Sequence, residues 1–195
     1  MKGLNKFGLV SALMSMVISS PVFAGHADRG SRAVAGLVAC GGNHAVRNKG
    51  DEFQLSVYVL RNYNSRLPIY IDRIRFFDSH GTMTHDFPGG ALPIFFNGTL
   101  GPGDNVLEPH ETAQLRSQDI FGLTGLPVNE RPIQVLINWS ADDHALILET
   151  ALVRQARERQ VKIDPNTGAE IVRVGKERSR HLYECRTIKR KFFKK

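Results

Sequence analysis

Residues 52–63, EFQLSVYVLRNY, decide the fold, because polar and apolar side chains alternate along them. Four apolar side chains share one face, namely Phe53, Leu55, Val57 and Val59. A period of two residues with β-branched and aromatic content is typical of a β-strand. The next residues, NSR at 64–66, favour a turn. The stretch therefore predicts a strand of an all-β protein.

The same alternation continues in residues 69–77, IYIDRIRFF. A regular strand places Arg73 and Arg75 on the face of Ile69 and Ile71. The opposite face then carries three side chains, Tyr70, Ile74 and Phe76. Residues 78–81, DSHG, favour a hairpin turn in which Gly81 takes a positive φ. Residues 82–87 are expected to return as the next strand.

Further strands are predicted at 113–115 and 133–139, and the second of these ends at Trp139, the expected core anchor. Residues 140–144 are expected to form a hairpin loop. Residues 145–153 fit a strand or a short helix, and we favour the strand because no helix N-cap pattern opens the segment.

The C-terminal part predicts a long basic hairpin. Residues 164–168, DPNTG, favour a tight turn between two Arg-rich arms that reach Cys185. The whole pattern predicts a single antiparallel β-sandwich over residues 51–188. Residues 25–50 show no sustained period and are expected to be a loosely held lead-in. Residues 189–195 are expected to be a basic tail.

The N-terminus indicates export. Residues 1–24 combine a short basic start, an apolar stretch and small residues before a cleavage position after Ala24. The alternative is a membrane anchor, but only about a dozen apolar residues are present, against the roughly 20 that span a bilayer. No other run is long enough to span. The protein is therefore predicted to be periplasmic or secreted.

The mature chain contains two cysteines, Cys40 and Cys185. In an oxidising compartment a distant pair is most simply a disulfide. Residues 37–41, LVACG, also match a lipoprotein cleavage box, in which Cys40 would be acylated. Three charged residues between the signal and Cys40 argue against that alternative. Two free thiols are the third possibility.

Charge is distributed unevenly along the chain. Residues 25–150 carry 10 Lys/Arg and 14 Asp/Glu, whereas residues 151–195 carry 14 and 5. The asymmetry predicts contact with an anionic envelope component or an acidic protein face, the alternative being a solvated end. The anion-binding candidates are Arg154, Arg157, Arg159, Lys189, Arg190, Lys191, Lys194 and Lys195. The basic arms 154–180 lack interleaved aromatics, so nucleic acid is not the expected partner.

A long Gly- and Pro-rich loop at 87–105 encloses an apolar patch of four residues, Leu92, Ile94, Phe95 and Phe96. Long loops in compact domains are often functional, so the patch is a candidate partner-binding surface. The alternative is a loop that folds back and caps the sandwich with these side chains.

No segment carries the pattern of an active site. His80 and His85 could approach each other across the 78–81 turn and ligate Zn or Cu, but no CxxC or HExxH spacing supports them. Ser140 and His144 lie close in sequence without a nucleophile elbow. We therefore predict no catalytic residue, no metal and no cofactor.

Several short motifs resemble an uncharacterised family of exported bacterial β-sandwich domains, and the layout is similar to that of the sensory rhodopsin transducer. The matching segments are FQL at 53–55, LRN at 60–62, PIYI at 68–71, FFD at 76–78, Gly81, Leu107, Pro109, Thr112, the strand 135–139, Ile147 and Glu149. The resemblance covers about residues 53–153, and the Arg-rich segment 154–195 has no counterpart. It implies a β-sandwich without catalytic residues.

These observations predict a non-enzymatic binding or accessory module of the bacterial envelope. Two alternatives are a metal-dependent or hydrolytic envelope enzyme and a structural subunit of an envelope assembly. Neither a small-molecule cofactor nor a transmembrane segment is expected.

Overall fold

The computed structural model describes residues 32–47 and 50–193, so the predicted signal, Lys194 and Lys195 lie outside the described residues. The chain forms two packed antiparallel sheets, which confirms the predicted β-sandwich. Its strands in chain order are β1 (Val34–Gly41), β2 (Ala45–Arg47), β3 (Glu52–Arg61), β4 (Ile69–Phe77), β5 (Met83–Pro88), β6 (Val106–Leu107), β7 (Thr112–Arg116), β8 (Gln134–Ala141), β9 (Glu149–Ile163), β10 (Glu170–Glu184) and β11 (Arg186–Phe192). A short helix, α1 (Ser117–Phe121), and a 3₁₀ turn at Val128–Glu130 separate β7 from β8.

The two sheets have simple strand orders. The six-stranded sheet runs β11-β1-β8-β4-β5, with β6 paired to β4. The five-stranded sheet runs β10-β9-β3-β2, with β7 paired to β3. The main core lies between them, and Trp139, Tyr58 and Phe76 are its largest fully buried side chains. Burial of large aromatic and branched side chains is the main stabilising contribution to such a fold.

The prediction for β3 is confirmed, and both of its faces are buried. Tyr58 and Leu60 face the main core, whereas Phe53 and Leu55 belong to a second apolar cluster. Val46 and Val174 pack against this second cluster. The strand therefore lies inside the five-stranded sheet and organises it from both sides.

The predicted faces of β4 are wrong, because the strand contains a β-bulge. Its register with β8 shifts between Ile71 and Arg73, so Asp72 is the extra residue. A bulge reverses the alternation of side chains beyond it. Ile71 and Ile74 consequently both point into the core, and Arg73 joins the outward face.

The lead-in and the tail are also corrected, because both contribute strands. In the segment predicted to be loosely held, β1 lies between β8 and β11, and β2 pairs with β3. Residues 189–192 of the predicted tail belong to β11 and pair with β1. Small residues such as Gly36 and Ala39 weakened the sequence pattern of β1, although every second residue of the strand is buried.

The region before β9 differs from the favoured strand. Residues 142–148 form a loop whose Leu146 and Leu148 are buried in the core, and β9 begins only at Glu149. Arg190 holds this loop, donating from Nη2 to the carbonyl oxygens of His144 (2.5 Å) and Leu146 (2.7 Å). The apolar residues of 145–153 therefore have two explanations: those before Glu149 pack a loop against the core, and those after it belong to β9.

The basic hairpin is confirmed. β9 and β10 are 15 residues each and pair antiparallel around the turn at 164–168. β9 pairs with β3 only as far as Glu158, so the distal half of the hairpin extends past β3. Its side chains are largely exposed.

The Cys40–Cys185 disulfide is confirmed. Cys185 is the single residue between β10 and β11, where the chain passes from one sheet to the other. Cys40 lies near the end of β1, so the bond ties this crossing to the six-stranded sheet. An acylated Cys40 is incompatible with this pairing.

The disulfide should contribute measurably to stability, because it closes a loop with a sequence separation of 145 residues. We expect Cys40→Ser with Cys185→Ser to lower the free energy of unfolding by about 2–5 kcal/mol. Chemical denaturation of the mature protein measures the change. Equal denaturation midpoints for the oxidised wild type and the double variant would contradict this expectation.

A second prediction concerns the packing of β1. A Cβ at Gly36 would lie 2.3 Å from the Trp139 indole, so Gly36→Ala should cost about 1–3 kcal/mol or more. The matched control is Gly101→Ala, whose Cβ would meet its nearest neighbour at 3.9 Å. Thermal melts of both variants check the difference, and a Gly36→Ala melt like that of the control would refute the packing described.

Candidate anion-binding face

The outer face of the six-stranded sheet gathers basic side chains from distant parts of the sequence. Directly paired residues of an antiparallel sheet project to the same side, so the register defines three rows across the face. The rows are Lys191–Ala35–Ser140–Tyr70, Lys189–Leu37–Asn138–Arg73 and Arg186–Ala39–Leu136–Arg75–Asp86.

Two basic groups flank this face. β11 contributes Arg186, Lys189 and Lys191, all exposed, and β4 contributes Arg73 and Arg75. β1 and β8 lie between them and supply small or apolar side chains such as Ala39 and Leu136. With strands about 4.8 Å apart, three strand spacings separate the two groups by roughly 14–15 Å. The three rows and the bulge together carry five basic residues and two carboxylates, Asp72 and Asp86, so the face has an excess of positive charge.

A depression of about 390 Å³ lies at the β4 side of the face and is lined by Asp72, Arg73, Arg75 and Asn138. Arg75 Nη2 donates to Asn138 Oδ1 at 2.9 Å, and Ser140 Oγ donates to Asp72 Oδ1 at 3.1 Å. These bonds orient the Arg75 guanidinium and the Asp72 carboxylate from the neighbouring strand. The depression therefore combines positive donors with a carboxylate acceptor.

Arg73 is committed to Asp86. Its Nε donates to Asp86 Oδ1 at 2.6 Å, and its Nη2 donates to Asp86 Oδ2, so the pair is bidentate. The contact lowers the pKa of Asp86 and raises that of Arg73. Arg73 is thus largely neutralised locally, and Arg75 makes fewer hydrogen bonds, although its charge also helps to lower the pKa of Asp86.

The long loop 87–105 holds the bulge that shapes the depression. Gly89 N–H donates to the Asp72 carbonyl at 2.8 Å, and Asn105 Nδ2 donates to the Ile71 carbonyl at 3.1 Å. A Cβ at Gly89 would lie 2.8 Å from the Ile71 carbonyl oxygen, so only glycine fits this approach. The loop therefore holds the backbone of the bulge, while the residues that line the depression come from β4 and β8.

The predicted apolar patch on this loop divides into two pairs. Leu92 and Phe95 are each 1% exposed and pack in the core, so their assignment to a partner surface is wrong. Ile94 (70% exposed) and Phe96 (58% exposed) remain on the surface. The centroid of the Phe96 ring lies 3.7 Å from the guanidinium carbon of Arg116. Phe96 N–H also donates to the Gln114 carbonyl, so the loop caps the free edge of β7.

The predicted anion-binding residues are dispersed. Lys189 and Lys191 lie on the outer face, but Arg190 points to the other side and is occupied by the carbonyls of the 142–148 loop, so its assignment is wrong. Lys194 and Lys195 lie outside the described residues. Sequence reasoning missed Arg73, Arg75 and Arg186, since only strand register brings them together.

The three arginines of β9 lie in the five-stranded sheet. Arg154 reaches towards the Gly42 carbonyl and lies over the Tyr183 ring, and Arg157 Nε donates to the Gly175 carbonyl at 3.1 Å. Arg159 is half-buried, and its backbone N–H donates to the Asp51 carbonyl. Arg157 thus contacts the irregularity of β10, and Arg154 contacts the connection between β1 and β2. The structure does not join either residue to the outer face.

The histidine and serine candidates do not form a site. His80 lies in an exposed turn, whereas His85 packs among Phe76, Phe87 and Phe121. Within residues 32–47 and 50–193, no group of three His, Cys, Asp or Glu side chains could hold a metal ion. Ser140 belongs to β8 rather than to a loop, which corrects the predicted start of the hairpin loop.

Comparisons with protein-family models, with curated proteins and with solved structures gave no match to this chain. The resemblance to the exported family therefore stays a prediction. In the part of the chain that the structure describes, no helix has the length and apolar character needed to cross a bilayer.

A pH prediction follows from the position of His85. Burial lowers its pKa below the usual value near 6.5, and its Nδ1 is buried without a hydrogen-bond partner among the described residues. The unfolded chain therefore binds more protons just below pH 6.5, and the contribution of His85 to stability is complete above that pH and is lost as the pH falls. We expect His85→Phe to melt higher than the wild type in acid and to lose less stability on acidification.

Melting temperatures between about pH 7.5 and pH 5 provide the measurement. His80→Gln, in the exposed turn, is the control for removing a histidine elsewhere. Parallel pH profiles for His85→Phe and the wild type would show that the aromatic environment of His85 is described incorrectly.

Proposed function

We propose that this protein is an exported, non-catalytic binding module of the bacterial envelope that holds an anionic polymer against the outer face of its six-stranded sheet. The observation that carries the proposal is the register, which aligns Arg186, Lys189 and Lys191 with the β4 arginines on one face. Arginine and lysine are the side chains that bind carboxylate, sulfate and phosphate groups.

The spacing of the two basic groups favours an extended ligand. A single small anion cannot contact both β4 and β11 across roughly 14–15 Å, whereas a polymer lying across the strands can. The intervening β1 side chains Ala35, Leu37 and Ala39 carry no charge, so they do not repel such a chain electrostatically. Sites built on paired strands are also more rigid than sites on loops.

Export supports an envelope ligand over an intracellular one. The predicted signal at 1–24 and the Cys40–Cys185 disulfide both fit an oxidising compartment. The carboxylates of an acidic glycan are groups that arginine and lysine bind, and such a glycan needs no base-stacking aromatics for recognition. We therefore place the protein in the periplasm or outside the cell and assign it an acidic glycan.

The proposal is tested by neutralising the β11 lysines. Lys189→Gln with Lys191→Gln should weaken binding to polygalacturonate by about 2- to 30-fold, the range for loss of two exposed ionic contacts. The affinity of the wild type should fall steeply with salt, because exposed charges are screened over about 8–10 Å at moderate ionic strength. Biolayer interferometry on the mature protein at two salt concentrations measures both effects, with neutral dextran as the blank.

The matched control is Arg173→Gln with Lys176→Gln. Both residues are exposed on β10 in the five-stranded sheet, and the change in net charge is the same. We expect this control to bind as the wild type does. Equal losses of affinity in both double variants would show that binding depends on net charge and not on the outer face. Absence of any salt-sensitive binding by the wild type would overturn the proposal.

A further inference from the structure

We infer that the protein forms a homodimer in which residues 180–184, at the end of β10, pair antiparallel with the same residues of a second copy. The two-fold axis passes through Leu182. This inference goes beyond the proposed function, because it assigns a role to a different surface, the free edge of the five-stranded sheet.

β10 is an edge strand. Among the described residues it pairs only with β9, so one side of its backbone carries N–H and C=O groups without a strand partner. Such an edge is a template for another strand, and proteins commonly block it with bulges. The register of β10 with β9 shifts twice between Val174 and Ser179, but it is regular from Ser179 to Glu184. The bulges therefore protect the middle of β10 and leave residues 180–184 open.

Two large side chains are exposed in this open segment. Leu182 is 67% exposed and Tyr183 is 46% exposed. Leu182 lies opposite Val153 of β9 and Tyr183 opposite Leu152, so the two side chains project from opposite faces of the sheet. The guanidinium carbon of Arg154 lies 5.2 Å from the centroid of the Tyr183 ring. A strand added at this edge would cover Leu182 on one face and Tyr183 on the other.

The order of side chains in residues 180–184, RHLYE, is self-complementary in an antiparallel pair. When Leu182 lies opposite Leu182 of the second copy, Arg180 lies opposite Glu184, and His181 lies opposite Tyr183. Directly opposed residues project to the same face. The register therefore gives two pairs of opposite charge, two aromatic pairs and one leucine pair, and each of these is a stabilising cross-strand combination.

Neighbouring registers lack this complementarity. An axis at His181 would place Arg180 opposite Leu182, and an axis at Tyr183 would place Leu182 opposite Glu184. An axis at Arg180 or at Glu184 would oppose like charges directly, which is destabilising. The charge pattern therefore favours a second copy of this chain as the partner, with Leu182 at the axis.

The charged groups of the pairing are accessible. Arg180 Nε lies 3.4 Å from Glu177 Oε1 of the same strand, and the two side chains are 62% and 36% exposed. An exposed ion pair contributes little, and a guanidinium has five N–H donors, so Arg180 retains donors for a second carboxylate. Glu184 is exposed, and none of the ion pairs between described residues involves it.

Sedimentation velocity of the mature protein, without any anionic ligand, measures the dimer over a concentration series. An interface of five paired residues per copy is small, so we expect a reversible dimer whose population rises with concentration. Leu182→Lys places two like charges at the axis and should abolish the dimer. The matched control is Ile94→Lys, which changes the charge equally at another exposed apolar residue and should dimerise as the wild type does.

Charge reversal tests the register. Arg180→Glu and Glu184→Arg should each weaken the dimer by about 2- to 30-fold or more, because each turns two pairs of opposite charge into pairs of like charge. The double variant restores both pairs and should dimerise about as the wild type does. Thermal melts establish that each variant is folded, and the amides of residues 180–184 should exchange hydrogen more slowly as the protein concentration rises.

Three results would overturn the inference. The first is a wild type that stays monomeric up to about 1 mM. The second is a Leu182→Lys variant that dimerises like the Ile94→Lys control. The third is a double charge-reversal variant that is weakened as much as both single variants together. Because no anion is present in these measurements, loss of the dimer would leave the proposed function intact.

Discussion

The six-stranded sheet depends on the insertion of β1 between β8 and β11. This insertion requires a close approach at Gly36, where any Cβ would overlap the Trp139 ring. Once β1 is in place, β11 has a partner, and the Cys40–Cys185 bond ties the β10–β11 crossing to the end of β1. The interior contact and the covalent bond therefore also determine where the β11 lysines lie. A basic segment that could have been a solvated tail becomes part of an ordered surface.

The bulge at Asp72 is the second constraint, and it serves both the core and the surface. It keeps Ile71 and Ile74 in the core although they are three residues apart, and it brings Asp72 and Arg73 to the outside together. Gly89 and Asn105 hold the bulge through backbone carbonyls. The long Gly- and Pro-rich loop thus has a structural explanation: its apolar side chains fill the core, its backbone caps the edge of β7, and its two ends stabilise the irregular strand.

The outer face combines exposed lysines on β11 with an ion pair on β4, and this arrangement supports the binding proposed for it. A face with lysines alone would attract any polyanion, whereas ion pairing of Arg73 with Asp86 and the nearby Asp72 moderate the charge at the depression. In the proposed function, the exposed β11 side chains supply the attraction that salt can screen. On β4 and β8, Arg75 and Asn138 are held by a mutual hydrogen bond, so this part of the face has fixed polar groups.

The sequence by itself predicted the fold class, the positions of β3 and β4, the C-terminal hairpin and, as the simplest of three alternatives, the disulfide, because period-two alternation, turn residues and cysteine parity are local or countable signals. It did not reveal β1 and β11, since Ala- and Gly-rich or Lys-rich segments show no alternation and become strands only by pairing with neighbours. It placed Arg73 and Arg75 on the same face as Ile69 and Ile71, because a bulge inserts one residue without a reliable local signature. Of the candidate site, the sequence singled out Lys189 and Lys191, and the tertiary structure decided the rest. The residues come from β1, β4, β8 and β11, and only inter-strand register brings side chains more than 100 residues apart into one row.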